Sequence, residues 1–198
     1  MNNFFLILLK NPARLLQALK KRLGLLHNYP FKACITPAEI TCLQKYAKSA
    51  KEGIVEIGVL DGGTTREMAL VANVPIYGLD PLVPDSMDNS LQGQIENIKN
   101  NLKFYQKFTF IKDYSYNLAP SWNKKIDFIF IDGDHRYEAV KKDYEDWLPL
   151  LSTNGIMAFH DSANNGYEGP TKLVEELMSD RRVKYLETSD SISVFRKV

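Results

Sequence analysis

Five short apolar runs punctuate the chain, spaced so that a helix fits between most of them. They are Ile54-Val55-Glu56-Ile57, Pro75-Ile76-Tyr77-Gly78-Leu79, Phe108-Thr109-Phe110-Ile111, Asp127-Phe128-Ile129-Phe130-Ile131 and Ile156-Met157-Ala158-Phe159. Each is too short for a buried helix, and none keeps the strict polar–apolar alternation of a half-buried strand. Strands of this kind look fully buried and belong in a mostly parallel sheet with helices on both faces, joined by right-handed crossovers. Helical spacing over 64–72 and from about Tyr137 to Leu151 supplies some of that cover. The expected fold is therefore a doubly wound α/β domain. The end of the chain differs: Lys184-Tyr185-Leu186-Glu187 and Ser191-Ile192-Ser193-Val194-Phe195 flank a short polar turn and predict a closing antiparallel hairpin.

At 198 residues the chain has room for one such core, and its 44% hydrophobic and 25% charged content excludes a disordered, collagen-like or multi-span membrane protein. A net charge of +1 gives no electrostatic basis for nucleic acid, so no nucleic-acid partner is expected. Cys34 and Cys42 are too few for a disulfide framework and lack metal-ligand spacing, which fits a reducing, cytoplasmic compartment.

Residues 1–35 read as a separate leader. Every charge before Glu39 is positive, and after Asn11-Pro12 the residues Leu15, Leu16, Leu19, Leu23 and Leu26 recur at helical spacing among Arg14, Lys21 and Arg22. The apolar run from Phe4 to Leu9 is too short to span a bilayer. Two roles remain open: packing on the domain or on a second subunit of a homodimer, or peripheral contact of residues 1–27 with an anionic inner-membrane face. The domain proper, 36–198, opens at Thr36-Pro37-Ala38-Glu39, a capping box starting a helix to about Ser49.

Ligands of doubly wound sheets gather beyond the carboxyl ends of the strands. After the first strand come Gly58, Gly62, Gly63 and Thr64, a glycine-rich turn entering a helix, with Glu56 inside the strand. Leu60 stands where a G-x-G-x-x-G fingerprint would carry its second glycine, which disfavours a dinucleotide pyrophosphate. Asp80, ending the second strand, is placed to meet ribose hydroxyls, and Asp113, Tyr114 and Ser115 after the third could line an adenine edge. The fourth and fifth strands end in Asp132-Gly133-Asp134-His135-Arg136 and His160-Asp161. Carboxylates crowded this closely repel unless a cation intervenes, so a divalent ion held by Asp132, Asp161 and His160 is the simplest expectation. Asp134 is placed to cap the following helix, and His135 is the candidate general base.

The stretches 55–65 and 127–161 resemble class I S-adenosylmethionine-dependent methyltransferases. More specifically, they resemble a small bacterial family with the pattern read here as Ile131-Asp132-Gly133-Asp134-His135-Arg136-Tyr137-Glu138, then Asp143, Trp147-Leu148-Pro149-Leu150-Leu151 and His160-Asp161. The resemblance covers about 36–198 and implies a seven-stranded Rossmann-like sheet whose last strand is antiparallel. It also implies S-adenosyl-L-methionine contacts from Glu56, Gly58, Gly62, Gly63, Thr64, Asp80, Asp113, Tyr114 and Ser115. A further similarity to metal-dependent O-methyltransferases of macrolide-sugar and catechol type implies a ligand at Asp132 and a base at His135. The chain departs from those relatives at His160-Asp161-Ser162, where they carry an acidic pair or Asp-Asn, and the ion, Mg or Mn, stays open because imidazole favours softer metals. The implied activity is methyl transfer to a hydroxyl of a small molecule or sugar, enclosed by Arg136, Tyr137 and a mobile loop over 162–167. Two alternatives are a non-catalytic adenosylmethionine- or glycan-binding domain with a partner- or membrane-binding leader, and an NAD-dependent oxidoreductase.

Overall fold

The computed structural model describes residues 35–84, 92–164 and 166–198. The leader helix, Cys34 and Asn165 of the expected loop lie outside the described residues. The elements in chain order are α1 (Pro37–Ser49), β1 (Ile54–Ile57), α2 (Gly63–Ala69), β2 (Ile76–Leu79), α3 (Ile95–Leu102), β3 (Phe108–Ile111), α4 (Ser115–Leu118), β4 (Ile126–Ile131), α5 (Tyr137–Trp147), β5 (Leu151–Phe159), α6 (Glu168–Leu177), β6 (Val183–Ser189) and β7 (Ile192–Lys197). The strands form one seven-stranded sheet in the order β3-β2-β1-β4-β5-β7-β6, with β7 antiparallel to both its neighbours. A Rossmann-like, mostly parallel sheet is thus what the chain builds.

Why the runs are apolar throughout is visible in their packing. Along β1 and β4, Val55, Ile57, Ile129 and Ile131 pack with Val140, Tyr144 and Trp147 of α5 and Leu173 and Leu177 of α6. Their neighbours Ile54, Phe128 and Phe130 pack with Leu43, Tyr46 and Ala47 of α1 and Met68 of α2. One strand feeds two cores, so period-2 alternation is lost. A smaller cluster of Val59, Leu82, Ile98 and Leu102 seats α3. The expectation of full burial fails at the sheet edge: β3 leaves Thr109 exposed and Phe108, Phe110 and Ile111 only half-buried, because one long side of an edge strand has no neighbour. The α5 helix also stops at Trp147, four residues short of the expected end, since Pro149 cannot continue it.

Register places the site. Ile57 pairs with Leu79 and Ile131, Leu79 with Ile111, and Ile131 with Phe159. The residues that follow, Gly58, Asp80, Lys112, Asp132 and His160, therefore leave the sheet side by side. The strand order reverses at β1, which has β2 on one side and β4 on the other, and the ligand crevice of such a sheet opens at that reversal.

Candidate active site

The glycine loop is built by backbone geometry. Gly58 has φ 90°, and a Cβ there would stand 2.0 Å from the Asp132 carbonyl oxygen, so only glycine lets β1 and β4 end this close together. Gly62, φ 77°, caps α2 with no side-chain bond, and its N–H donates to the Val59 carbonyl at 2.8 Å. Asp80 ties the turn down: Oδ2 accepts the Val59 and Leu60 N–H groups, both at 2.8 Å, and Oδ1 accepts the Leu82 N–H at 2.7 Å. One acceptor position on Oδ1 remains for a ligand hydroxyl.

Beneath the loop Glu56 is fully buried. Its Oε2 accepts the Thr65 hydroxyl, while Oε1 has no hydrogen-bond partner among the described residues. Burial pushes this carboxyl well above its ordinary range against the Thr65 bond, and the charges of Asp132 and Asp80 add to the rise. A buried acceptor with an unused oxygen under a tight glycine turn fits the donor-rich amino-acid end of adenosylmethionine. Gly63 and Thr64 lie buried in the first turn of α2 above it.

After β3, three neighbouring residues take three different tasks. Asp113 Oδ1 accepts the Tyr114 N–H at 2.7 Å and the Asn117 amide at 2.8 Å. Tyr114 is exposed and stacks on Tyr116, ring centroids 5.0 Å apart. Ser115 is buried and its hydroxyl donates to Asp143 of α5. Burial raises the Asp143 carboxyl to about 7, in opposition to the Ser115 bond.

At the ends of β4 and β5 the expected ionisable residues converge. His135 Nε2 lies 3.2 Å from Asp161 Oδ2 and 4.0 Å from Asp132 Oδ1. One donor atom from each of Asp132, His135 and Asp161 falls within 4.8 Å of the others. Two carboxylates and an imidazole suit a divalent cation of the Mg or Mn class, with nitrogen weighting the choice toward Mn. The set includes His135 where His160 was expected, and His160 lies against both carboxylates. Its Nδ1 is 2.8 Å from Asp132 Oδ1 and 3.3 Å from Asp161 Oδ2, while its Nε2 faces Glu39 Oε2 at 3.7 Å. Burial alone would depress the His160 imidazole, but the Asp132 and Asp161 carboxylates drive it well above its usual range. Burial likewise pushes Asp161 up, and the His135 and His160 imidazoles beside its carboxylate reverse this, so Asp161 stays a carboxylate well below its usual range.

Around this cluster, Tyr167 stacks on His135 at 4.2 Å and 26°. Asp134 does not cap α5, whose N-cap is Arg136 without a side-chain bond. Instead Asp134 Oδ1 accepts the Arg136 N–H at 2.9 Å, and Oδ2 accepts its guanidinium. The order of the strands hid two participants. Glu39 is legible only as the capping glutamate of α1, and Asp143 only as one letter of a pattern. Glu39 reaches the site from an element distant in sequence, and Asp143 from the helix directly after β4, where it meets Ser115 of the turn after β3.

Comparison with known proteins adds to this geometry. Residues 55–162 match the family described as "Methyltransferase domain". Protein R132 of Acanthamoeba polyphaga mimivirus, described as uncharacterized, is 33% identical over 117 residues, 54% of this chain and 50% of its own length. Protein y4gI of Sinorhizobium fredii, also uncharacterized, is 40% identical over 51 residues, 26% of this chain. The chain thus spans half the length of the viral relative and 6% of the bacterial one. Among solved structures, the O-methyltransferase NovP superposes with a TM-score of 0.69 at 16% identity, covering 84% of this chain and 82% of that one. TomG of Streptomyces achromogenes, solved with SAM, gives 0.63 at 14% identity over 85% and 83% of the two chains. An O-methyltransferase of Bacillus cereus, in complex with SAH, gives 0.62 at 17% identity over 92% and 89%. With more than half its length matched by the family model and its sheet shared with these structures, the chain belongs to the methyltransferase-domain family.

Proposed function

We propose that the protein transfers the methyl group of S-adenosylmethionine to a hydroxyl of a small molecule or sugar, assisted by a divalent cation. The observation that carries this reading is the convergence of Asp132, His135 and Asp161 beside the glycine loop, with Gly58 against the Asp132 backbone. Asp132 and Asp161 would hold the cation, which supplies Lewis-acid lowering of the acceptor hydroxyl's pKa. His135 Nε2, the ring nitrogen facing the cluster, takes the hydroxyl proton, and the Asp161 carboxylate stabilises the imidazolium that results. The acceptor oxygen forms the new bond to the methyl carbon as the carbon–sulfur bond breaks, releasing S-adenosylhomocysteine. Glu56, Asp80 and the glycines orient the donor for this in-line displacement, whose rate comes largely from holding the reacting atoms ~3–3.5 Å apart. Tyr167 covers one face of the His135 ring.

The mutual distances of the three donor atoms support a second reading, in which His135 is itself a ligand. One variant separates the two. As a base, His135→Ala retains S-adenosylhomocysteine and Mn2+ binding while turnover falls ~100- to 10,000-fold; as a ligand, it loses Mn2+ binding as well.

The test of the activity is incubation of purified protein with S-adenosylmethionine, Mg2+ or Mn2+ and a panel of phenolic, sugar and aliphatic alcohols, reading S-adenosylhomocysteine and methylated product. Tight S-adenosylhomocysteine binding without turnover on any acceptor points to the non-catalytic reading. NAD(H) binding with no response to adenosylmethionine points to the oxidoreductase. For the leader we propose membrane or subunit contact through residues 1–27 at the cytoplasmic face. Liposome flotation and sedimentation, with and without that segment, tell these apart.

A further inference from the structure

Of the carboxylates around His160, one comes from outside the cluster. Glu39 is 2% exposed and stands in the first turn of α1, and its Oε2 faces the imidazole edge opposite to the one that meets Asp132 and Asp161. A capping-box glutamate needs only to reach back to its helix N-terminus and is usually left wet. Burial of this one has to be offset by bonds, and those bonds lead toward the site. Oε2 accepts the Thr36 N–H at 2.7 Å, completing the cap. Oε1 accepts both the Ser191 N–H at 2.9 Å and the Ser191 hydroxyl at 2.6 Å. The same Ser191 oxygen accepts the Asp161 N–H at 3.3 Å. Asp161 has φ 50°, a conformation costly for a residue with a side chain and retained only where surrounding bonds enforce it. Two routes thus run from Glu39 into the cluster: through the His160 ring to the Asp132 carboxylate, and through Ser191 to the strained backbone of Asp161.

We infer that Glu39 is a positioning residue for the active site, which with Ser191 and His160 holds Asp132 and Asp161 at the distances from His135 that cation binding and proton transfer require. The inference rests on the metal-assisted reading above and deepens it. Groups that orient ligands in this way typically change metal affinity or activity 10- to 100-fold, about the effect expected here.

The experiment compares the full-length wild type with Glu39→Gln, Ser191→Ala and Thr36→Ala, all loaded with S-adenosylhomocysteine and titrated with Mn2+ by calorimetry. Steady-state kinetics are run in parallel on the same four proteins. Thr36→Ala removes the cap hydroxyl, with its bonds to the Glu39 N–H and the Asp190 carboxylate, but leaves the Thr36 N–H bond to Glu39, so it reports what loosening the α1 cap and its tie to the Asp190 turn does without touching the Glu39 carboxylate. Glu39→Gln is expected to weaken Mn2+ binding and lower kcat, each about 10-fold or more, with KM for adenosylmethionine unchanged. Ser191→Ala shifts both in the same direction by less, and stands in should Glu39→Gln fail to fold. Thr36→Ala lowers Tm and moves neither quantity. Wild-type affinity and kcat in Glu39→Gln overturn the inference, as does Thr36→Ala reproducing its losses. Should the wild type bind no Mn2+, the metal reading falls while the positioning role is still measured. The chain has 3 histidines, so the ring nitrogens of His160 can be followed by long-range 1H–15N NMR. Their signals should move in Glu39→Gln and stay in Thr36→Ala; signals unmoved in Glu39→Gln reject the role.

Discussion

At the scale of single residues, the position that tolerates least is Gly58. Its missing side chain lets the glycine loop touch the Asp132 carbonyl, so the turn after β1 and the end of β4 share one contact. Gly58→Ala adds a Cβ 2.0 Å from that oxygen at φ 90°, where neither backbone can yield cheaply. The expected outcome is a loss of about 2–4 kcal/mol in a denaturant melt, accompanied by loss of S-adenosylhomocysteine binding by calorimetry. Near-normal melting and binding would mean that the two strand ends part without harm. Tyr167→Ala, by contrast, removes the ring lying on His135 without opening the core, since Tyr167 is 39% exposed. Turnover should fall about 10-fold with Tm within ~1 °C, checked by kinetics and calorimetry. Residues of this kind were partly legible. Asp132, His135, Asp161 and the glycines stand where a strand ends, and the end of a parallel strand is where ligands meet side chains. The contact of His160 with Glu39 was not legible, because a cap glutamate looks the same in sequence whether it is wet or buried against a histidine far along the chain.

At the scale of elements, α5 ties the two halves of the crevice together. Asp143, on its buried face, accepts the Ser115 hydroxyl from the start of α4, and so joins the turn after β3 to the helix that follows Asp132 and His135. The folded-state carboxyl is raised to about 7 by burial, against the ordinary value of 3.8 for an unfolded chain. A raised acid stabilises the fold when protonated, and that contribution is lost as the pH climbs from near 4 through 7. Asp143→Asn should therefore melt higher than the wild type at pH 8, by an amount on the order of 3 kcal/mol. The difference should shrink toward pH 4; melts across that range decide it, and a gap that widens on acidification would contradict the account.

The neighbouring α6 shows why an element can escape a reading of the sequence. Gly169-Pro170 looks like a break, yet both residues sit in the helix's first turn, where proline's missing N–H costs nothing. Glycine is required there because a Cβ at Gly169 would lie 2.2 Å from the His135 carbonyl oxygen. The polar segment expected as a mobile loop thus runs straight into a helix packed against the His135 backbone. Gly169→Val should displace that backbone and lower kcat about 100-fold, while leaving donor binding, read by calorimetry, near wild type.

At the scale of the whole molecule, the fold was the most legible level, since two-faced apolar runs admit few architectures. What escaped was set by position in the sheet: β3 is half-exposed because it lies at an edge, and no residue of β3 announces that by itself. Among the described residues, no helix is long and apolar enough to cross a membrane. The reversed direction of β7 has a practical corollary. Running against its neighbours, it brings the turn before it, with Asp190 and Ser191, to the rim where Asp161 stands, and it carries Val198 away to the opposite rim, where that residue is 72% exposed. A fluorescent reporter carried on Val198→Cys would hang clear of Asp132, His135 and Asp161 and follow the fold without touching them.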